Sequence, residues 1–242
     1  MSTLIFDIET TGKDWRDISP CAQKSLLKSI NQRSGTNEKE KEREIERFKG
    51  RLALSPYTGQ IVSLAMYDVE RNLGAVYFTG EKSETGFNDD VFDYRPADEK
   101  DILADFWEGA REYDIFVGFN SRTFAVPFLY IRSAALGIKP GVEIANEPYL
   151  LKQSFPYHID LLDQFTFEGA VRPRPSLSVL CDTFKIEYKP EFSGEEAAEF
   201  FRQKKFRRLA RHAATDVIAI KELYLVWKEY LALLSFINNL EM

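Results

Sequence analysis

The stretch Leu4-Ile5-Phe6-Asp7-Ile8-Glu9-Thr10-Thr11-Gly12 decides the fold, because it is a short apolar run that carries two acids two positions apart. Side chains alternate between the faces of a strand, so Asp7 and Glu9 point one way while Phe6 and Ile8 point the other. Two neighbouring carboxylates repel each other, and binding a divalent cation such as Mg²⁺ removes that conflict. The alternative is a half-exposed strand whose solvated face carries both acids.

The composition narrows the class of protein. The 242 residues are 44% hydrophobic and 14% aromatic, which predicts one large α/β domain across residues 1–242. The net charge of −6 argues against a broad non-specific nucleic-acid binder but is compatible with a local basic groove. No stretch approaches the ~20 apolar residues of a membrane span, and the first apolar run is too short for a signal peptide. Cys21 and Cys181 form no disulfide framework, so we expect reduced thiols in a cytoplasmic protein.

Hydrophobic periodicity predicts a mixed five-stranded sheet with helices packed on it. After the first strand, further strands are predicted at 60–69, 74–79, 114–118 and 157–162. Helices are predicted at 97–112, 127–136, 176–184, 195–201 and from Phe206 towards Leu233, with a capping box at Ser193–Glu196. Residues 80–96 are polar and predict a loop. Residues 13–50 predict a helical hairpin inserted after the first strand, with its turn at Ser34–Asn37.

A second group of polar residues lies on the long last helix. His212 and Asp216 are four positions apart, so they share one helix face with Leu209 and Ile220 and point towards the body of the protein. If the first strand faces this helix, Asp7 joins Glu9 and Asp216 in a two-metal site, with His212 orienting or deprotonating the attacking water. The alternative is a His–Asp pair that makes a satisfied buried hydrogen bond.

Three motifs in order along the chain resemble the DEDD superfamily of 3′–5′ exonucleases, and are most similar to stand-alone exonucleases related to the proofreading domain of family B DNA polymerases. The motifs are Phe6–Thr10, Gly118–Phe128 and Arg211–Asp216, and the segments Tyr157–Leu162 and Pro175–Leu180 also look like that family. The resemblance spans most of the chain except residues 13–50. It implies a ribonuclease H-like fold and two bound Mg²⁺ or Mn²⁺ ions.

The chain departs from the family pattern at two positions. Ala125 stands where the family has the fourth metal-binding Asp, and alanine offers no ligand atom. Three explanations remain open: a deliberate Asp→Ala change that traps substrate, a natural pseudo-nuclease, or replacement by Asp160 or Asp163. The other departure is His212, which occupies the spacing at which the polymerase-like branch has a tyrosine. Imidazole could act there as a base, whereas a phenol with a pKa of ~10 mostly orients water.

Several residues are candidates for binding the substrate. A basic cluster precedes His212, and phosphate contacts or a plain exposed helix face would both explain it. The candidates from this cluster and from the loop before the helix at 176–184 are Arg172, Arg174, Arg208 and Arg211. By resemblance, Thr10 approaches the 3′ end and Asn120 contacts the substrate. Phe124 would stack on a terminal base or lie in the core.

Together these features predict a metal-dependent 3′–5′ exonuclease that hydrolyses the terminal phosphodiester of single-stranded DNA, or of RNA, and that Ala125 impairs. The alternative function is a non-catalytic module that binds single strands or 3′ ends. Single-stranded DNA or the 3′ ends of nucleic acid are the predicted partner, no membrane is expected, and the sequence leaves protein partners open.

Overall fold

The computed structural model describes residues 1–28, 38–80, 84–145, 157–192 and 196–232. Its strands are β1 Thr3–Gly12, β2 Gly59–Asp68, β3 Leu73–Phe78, β4 Phe87–Asn88, β5 Phe92–Pro96, β6 Ile115–Gly118 and β7 Tyr157–Asp160. The helices described are α1 Pro20–Leu26, α2 Glu38–Gly50, α3 Glu99–Gly109, α4 Ala125–Ala135, α5 Leu161–Phe165, α6 Leu177–Phe184, α7 Ala197–Arg202 and α8 Phe206–Tyr230. The strands form one mixed sheet in the order β4-β5-β3-β2-β1-β6-β7, so the predicted α/β class is confirmed.

The sheet has seven strands rather than the predicted five, because the segment 80–96 is not a plain loop. Strand β5 pairs in parallel with β3, and the short β4 pairs antiparallel with β5. The polar residues that suggested a loop make the turn between them. There Asp89 Oδ1 accepts hydrogen bonds from the backbone N–H groups of Val91 and Phe92 at 2.9 and 2.7 Å. Pairing with a strand distant in sequence decides this segment, and local pattern does not reveal it.

Other predicted elements are present with shifted ends. Helix α4 begins at Ala125, two residues before the predicted Pro127, and Leu161–Phe165 form a helix although residues 161 and 162 were predicted to be in a strand. Asp160 causes that change, since its side chain caps α5 by accepting from the Leu162 N–H at 3.0 Å. Helices α1 and α2 lie between β1 and β2. The predicted turn Ser34–Asn37, the residues 193–195 of the predicted capping box and the predicted end at Leu233 lie outside the described residues.

The sheet separates two core layers, and the side chains of its interior strand β1 alternate between them, as their spacing predicts. Its residues Leu4, Phe6 and Ile8 belong to a buried cluster that includes the apolar faces of α3 and α4. Ile5 belongs to the other cluster, with the apolar face of α8. Asp7 and Glu9 have the same parity as Ile5, so the strand directs both acids towards α8.

The described helices include none that is both long enough and apolar enough to cross a lipid bilayer.

Candidate active site

Strand β1 and helix α8 bring three ligand-bearing side chains together. The Nε2 atom of His212 lies 3.6 Å from Glu9 Oε1 and 3.8 Å from Asp216 Oδ2. One donor atom from each of the three side chains lies within 4.8 Å of those of the other two. His212 and Asp216 are one helical turn apart, as their spacing predicts. Among the described residues, these three form the group that could hold a metal ion.

Asp7 interacts electrostatically with the acids of this group. Burial raises the pKa of Asp7 well above its usual value, and the carboxylate of Asp216 raises it further. Burial likewise raises the pKa of Glu9, and both Asp7 and Asp216 add to the effect. Burial also raises the pKa of Asp216. The neighbouring His212 and the hydrogen bond from Tyr188 lower this pKa, but burial has the larger effect. The predicted acids therefore share one low-dielectric space in which their charges repel each other, and a divalent cation would relieve that repulsion.

The imidazole of His212 is held by an aromatic stack. Its ring lies 4.1 Å from that of Phe192 at 27°, and Phe192 stacks in turn on Phe200 at 4.3 Å. The side chain is only 2% exposed, and burial lowers the pKa of His212. Nδ1 is buried and has no hydrogen-bond partner among the described residues. Since Nε2 is also beyond hydrogen-bond distance of Asp216, the geometry does not match the alternative of a satisfied His–Asp hydrogen bond.

Tyr188 belongs to the site although no sequence pattern indicated it. Its hydroxyl donates a hydrogen bond to Asp216 Oδ1 at 2.9 Å. The other carboxylate oxygen, Oδ2, is the one that lies 3.8 Å from His212 Nε2. Burial and the neighbouring Asp216 carboxylate raise the pKa of Tyr188, so the phenol stays protonated and remains a donor. It lies in the loop after α6, where no periodicity indicates which way a side chain points.

Ala125 is the first residue of α4 and is buried, at 1% exposure, in the core cluster that contains Phe6 and Ile8. Both acids considered as its replacement make other contacts in the structure. Asp160 accepts hydrogen bonds from the backbone N–H groups of Asn120, Arg122 and Leu162 at 2.8 to 3.0 Å, and burial raises its pKa to about 6. These contacts hold the loop between β6 and α4 against β7.

Asp163, the second replacement considered, is paired with two arginines. The guanidinium groups of Arg122 and Arg174 both donate to its carboxylate, which is 4% exposed, while the two arginines keep about a third of their side-chain surface in solvent. The buried acid therefore fixes two cations that remain accessible. Of these two, the sequence indicated only Arg174 as a candidate.

Three residues predicted to contact the 3′ end of the substrate, Thr10, Asn120 and Phe124, lie at or after the carboxyl ends of the parallel strands β1 and β6. Thr10 follows an irregularity in the β1–β2 register, and its hydroxyl donates to the Ala53 carbonyl oxygen at 2.8 Å. Asn120 adopts a left-handed conformation with φ of 55°, and its side-chain oxygen accepts from Thr123. Phe124 is half-buried and packs against Phe128 with 5.0 Å between ring centroids, which matches the core alternative for this residue.

The other predicted arginines lie outside the acidic cluster. Arg172 is exposed and its Nε is 3.4 Å from the Gly169 carbonyl oxygen. Arg208 pairs with Glu191 at 2.8 Å and lies over the Phe200 ring at 4.5 Å. Arg211 is exposed on α8. It lies over the Phe87 ring, 5.6 Å from the centroid, together with Arg207 at 4.8 Å. The sequence did not indicate that both guanidinium groups lie over the ring of Phe87.

Comparison with known proteins adds to this geometry. Residues 71–239 match the family model described as a predicted 3′–5′ exonuclease related to the exonuclease domain of PolB, a match that begins after Asp7 and Glu9. A family B DNA polymerase from the hyperthermophilic archaeon Pyrobaculum calidifontis has a similar structure, with a TM-score of 0.54 and 17% sequence identity. The similarity covers 94% of this chain but 24% of the polymerase, and it confirms the ribonuclease H-like fold. No curated protein sequence matches the chain.

Proposed function

The chain belongs to the family of predicted 3′–5′ exonucleases related to the exonuclease domain of PolB, and on that premise we propose that it acts on the 3′ end of single-stranded DNA. We propose further that it uses two divalent ions, Mg²⁺ or Mn²⁺, and that Ala125 impairs the reaction. The observation that supports this most is the cluster of Glu9 and Asp216 with the buried His212, to which Asp7 is linked electrostatically. Such a group of acids is costly to bury unless a cation or a proton compensates it.

In this proposal the acids hold the ions, and bound divalent ions stabilise negative charge on the oxygens of the scissile phosphate. Tyr188 keeps one oxygen of Asp216 occupied, so that the carboxylate has a fixed orientation. His212 presents Nε2 to the same space, where it either orients the attacking water or binds an ion directly. The hydrophobic stack behind His212 excludes water from that side of the site.

Cationic residues around the site are proposed to bind the substrate backbone. Arg122 and Arg174 are held by Asp163, and their exposed surface offers two positive charges at fixed positions. Arg211 is exposed on α8, one turn before Thr215, on the helix that also carries Asp216. Contacts of this kind act on phosphates and give binding that weakens as the salt concentration rises.

The test restores the missing acid. The Ala125→Asp variant is expected to degrade a 5′-labelled single-stranded DNA from its 3′ end when Mg²⁺ or Mn²⁺ is present, and to stop when EDTA is added. Ala125→Asn is the matched control, because it has nearly the same size without the charge. Circular dichroism must accompany both, since Ala125 is 1% exposed and a larger polar side chain there can disturb packing. If folded Ala125→Asp protein with divalent ions cuts neither DNA nor RNA, the nuclease proposal fails.

Ala125 itself favours a second candidate, a non-catalytic module that binds 3′ ends. In that case the chain with Ala125 binds single strands in a salt-dependent way, and the aspartate variant gains no activity. Competition between DNA and RNA of the same sequence would identify the substrate class, because only contacts to the 2′-hydroxyl distinguish the two.

A further inference from the structure

We infer that His212 is a direct metal ligand, and that Glu9, His212 and Asp216 form a mixed nitrogen and oxygen site that prefers an ion of the Zn²⁺ type over Mg²⁺. This role replaces the orientation of water that the sequence predicts for His212. The inference shares two acids with the proposed function, but its test measures metal binding and needs no nuclease activity.

The two separations measured from His212 Nε2 fit one shared ion. Bonds of about 2.0–2.2 Å from Zn²⁺ to nitrogen or oxygen place two ligands of the same ion roughly 3–4 Å apart. The two measured separations from His212 Nε2, 3.6 Å to Glu9 and 3.8 Å to Asp216, lie in that range. They are too long for hydrogen bonds. Three protein ligands with a further open position are also the usual arrangement of a catalytic zinc site.

The orientation of the imidazole supports the same conclusion. His212 is 2% exposed, and stacking on Phe192 fixes the plane of its ring. Its Nε2 therefore points at two carboxylates without donating a hydrogen bond to either. In the tautomer whose Nε2 is unprotonated, the nitrogen lone pair gains nothing from the two carboxylates, whereas a cation between the three groups is attracted by all of them.

The nitrogen ligand has a consequence for the choice of ion. Mg²⁺ binds mainly oxygen and keeps several of its waters, whereas imidazole suits Zn²⁺ and other late transition metals. Tyr188 fixes Asp216 through Oδ1, in the way that neighbouring hydrogen bonds commonly orient metal ligands.

The test is a Zn²⁺ and a Mg²⁺ titration of metal-free protein by calorimetry. It uses the Cys21→Ser background, because Cys21 is an exposed thiol that can bind Zn²⁺ on its own. His212→Asn in that background is expected to lose more than about 10-fold in Zn²⁺ affinity, since loss of even an outer hydrogen bond to a ligand costs 10–100-fold. Its Mg²⁺ affinity is expected to stay unchanged. Equal Zn²⁺ affinity with and without the imidazole would overturn the inference and leave His212 to orient water.

A measurement on the unsubstituted histidines decides the question if His212→Asn fails to fold. The chain has two histidines, and the other one, His158, contacts Ser121 at 2.9 Å. In ¹⁵N NMR, Zn²⁺ is expected to shift the Nε2 resonance of His212 and to leave that of His158 in place. Zn²⁺ binding with no shift at His212 would refute the inference. A positive result here together with an inactive Ala125→Asp variant would leave the metal site standing without the nuclease.

Discussion

Replacing Glu9 by Gln should stabilise the metal-free protein, because it removes one charge from a group of buried acids. The donor oxygens of Glu9 and Asp216 lie within 4.8 Å of each other. With an effective dielectric constant of ~20, two full charges at that distance repel by about 3.5 kcal/mol. Protonation of Glu9, which its raised pKa favours, already removes part of this repulsion in the natural chain. We therefore expect a gain of about 2 kcal/mol, or roughly 4–8 °C in Tm for a chain of this size.

The assay is urea unfolding at pH 7.5, followed by circular dichroism, in EDTA and in excess Mn²⁺. In EDTA the Glu9→Gln protein should be the more stable of the two. Mn²⁺ at 100 times its Kd should stabilise the unsubstituted chain by about 2.7 kcal/mol and the variant by much less, so the order of stability reverses. Glu108→Gln is the matched control: its carboxylate is exposed and pairs loosely with Arg111 at 3.5 Å, so its effect should stay within about 0.5 kcal/mol.

The pH dependence provides a second check with a definite sign. The folded-state pKa of Glu9 is raised above its ordinary value of 4.5, so ionisation of this carboxyl opposes folding as the pH rises past 4.5. At pH 4 Glu9 is protonated in both the folded and the unfolded chain, so the unsubstituted protein and the Glu9→Gln variant should be nearly equal in stability. The difference should grow from there towards neutral pH. A Glu9→Gln protein that is no more stable in EDTA, or one that Mn²⁺ stabilises as much as the unsubstituted chain, would refute the reasoning.

Three further predictions concern parts of the molecule around the site. Arg132→Met leaves the carboxylate of Glu99, in a largely buried position, without its 2.6 and 2.8 Å arginine contacts, so urea unfolding should show a loss of about 3–5 kcal/mol. Adding Glu99→Met should recover only part of this loss, because it removes the unpaired charge but also the acceptor of the Ile61 N–H at 2.7 Å. A loss below 1 kcal/mol would contradict this. Burial lowers the pKa of His158 from 6.5 to about 4, so its NMR titration should have its midpoint near pH 4. Protonation of the buried imidazole should therefore destabilise the folded protein by roughly 3 kcal/mol as the pH falls from 6.5 to 4. A midpoint near 6.5 would refute the assignment. Arg211→Gln should reduce the slope of log affinity for single-stranded DNA against log salt by about 0.7, and an unchanged slope would mean that Arg211 contacts no phosphate.

The sequence predicted the placement of side chains where a regular period decides their direction. The two-residue spacing of Asp7 and Glu9 placed them on one face of β1, and the four-residue spacing of His212 and Asp216 placed them on one face of α8. In both cases the neighbouring apolar residues identify the buried side, because the core must take them.

Contacts made by loops could not be predicted in the same way. Tyr188 reaches Asp216 from a segment without period, and Arg122 meets Asp163 across 41 positions of sequence. Strands β4 and β5 were missed for a related reason, since residues 80–96 are locally polar and gain their structure from pairing with β3. The roles of Thr10, Asn120 and Arg172 in substrate binding stay predictions, because each of them is described by its contacts within the protein alone.

The position of β1 in the chain also affects how the protein folds. Glu9 and Asp216 are about 200 residues apart, so closing the site is among the least local events in folding, and such contacts slow folding. While the chain is being synthesised, both β1 acids are made long before α8, and water solvates their charges until that helix packs. Divalent ions held by these acids would relieve their repulsion when α8 packs on the sheet, so we expect such ions to favour that packing.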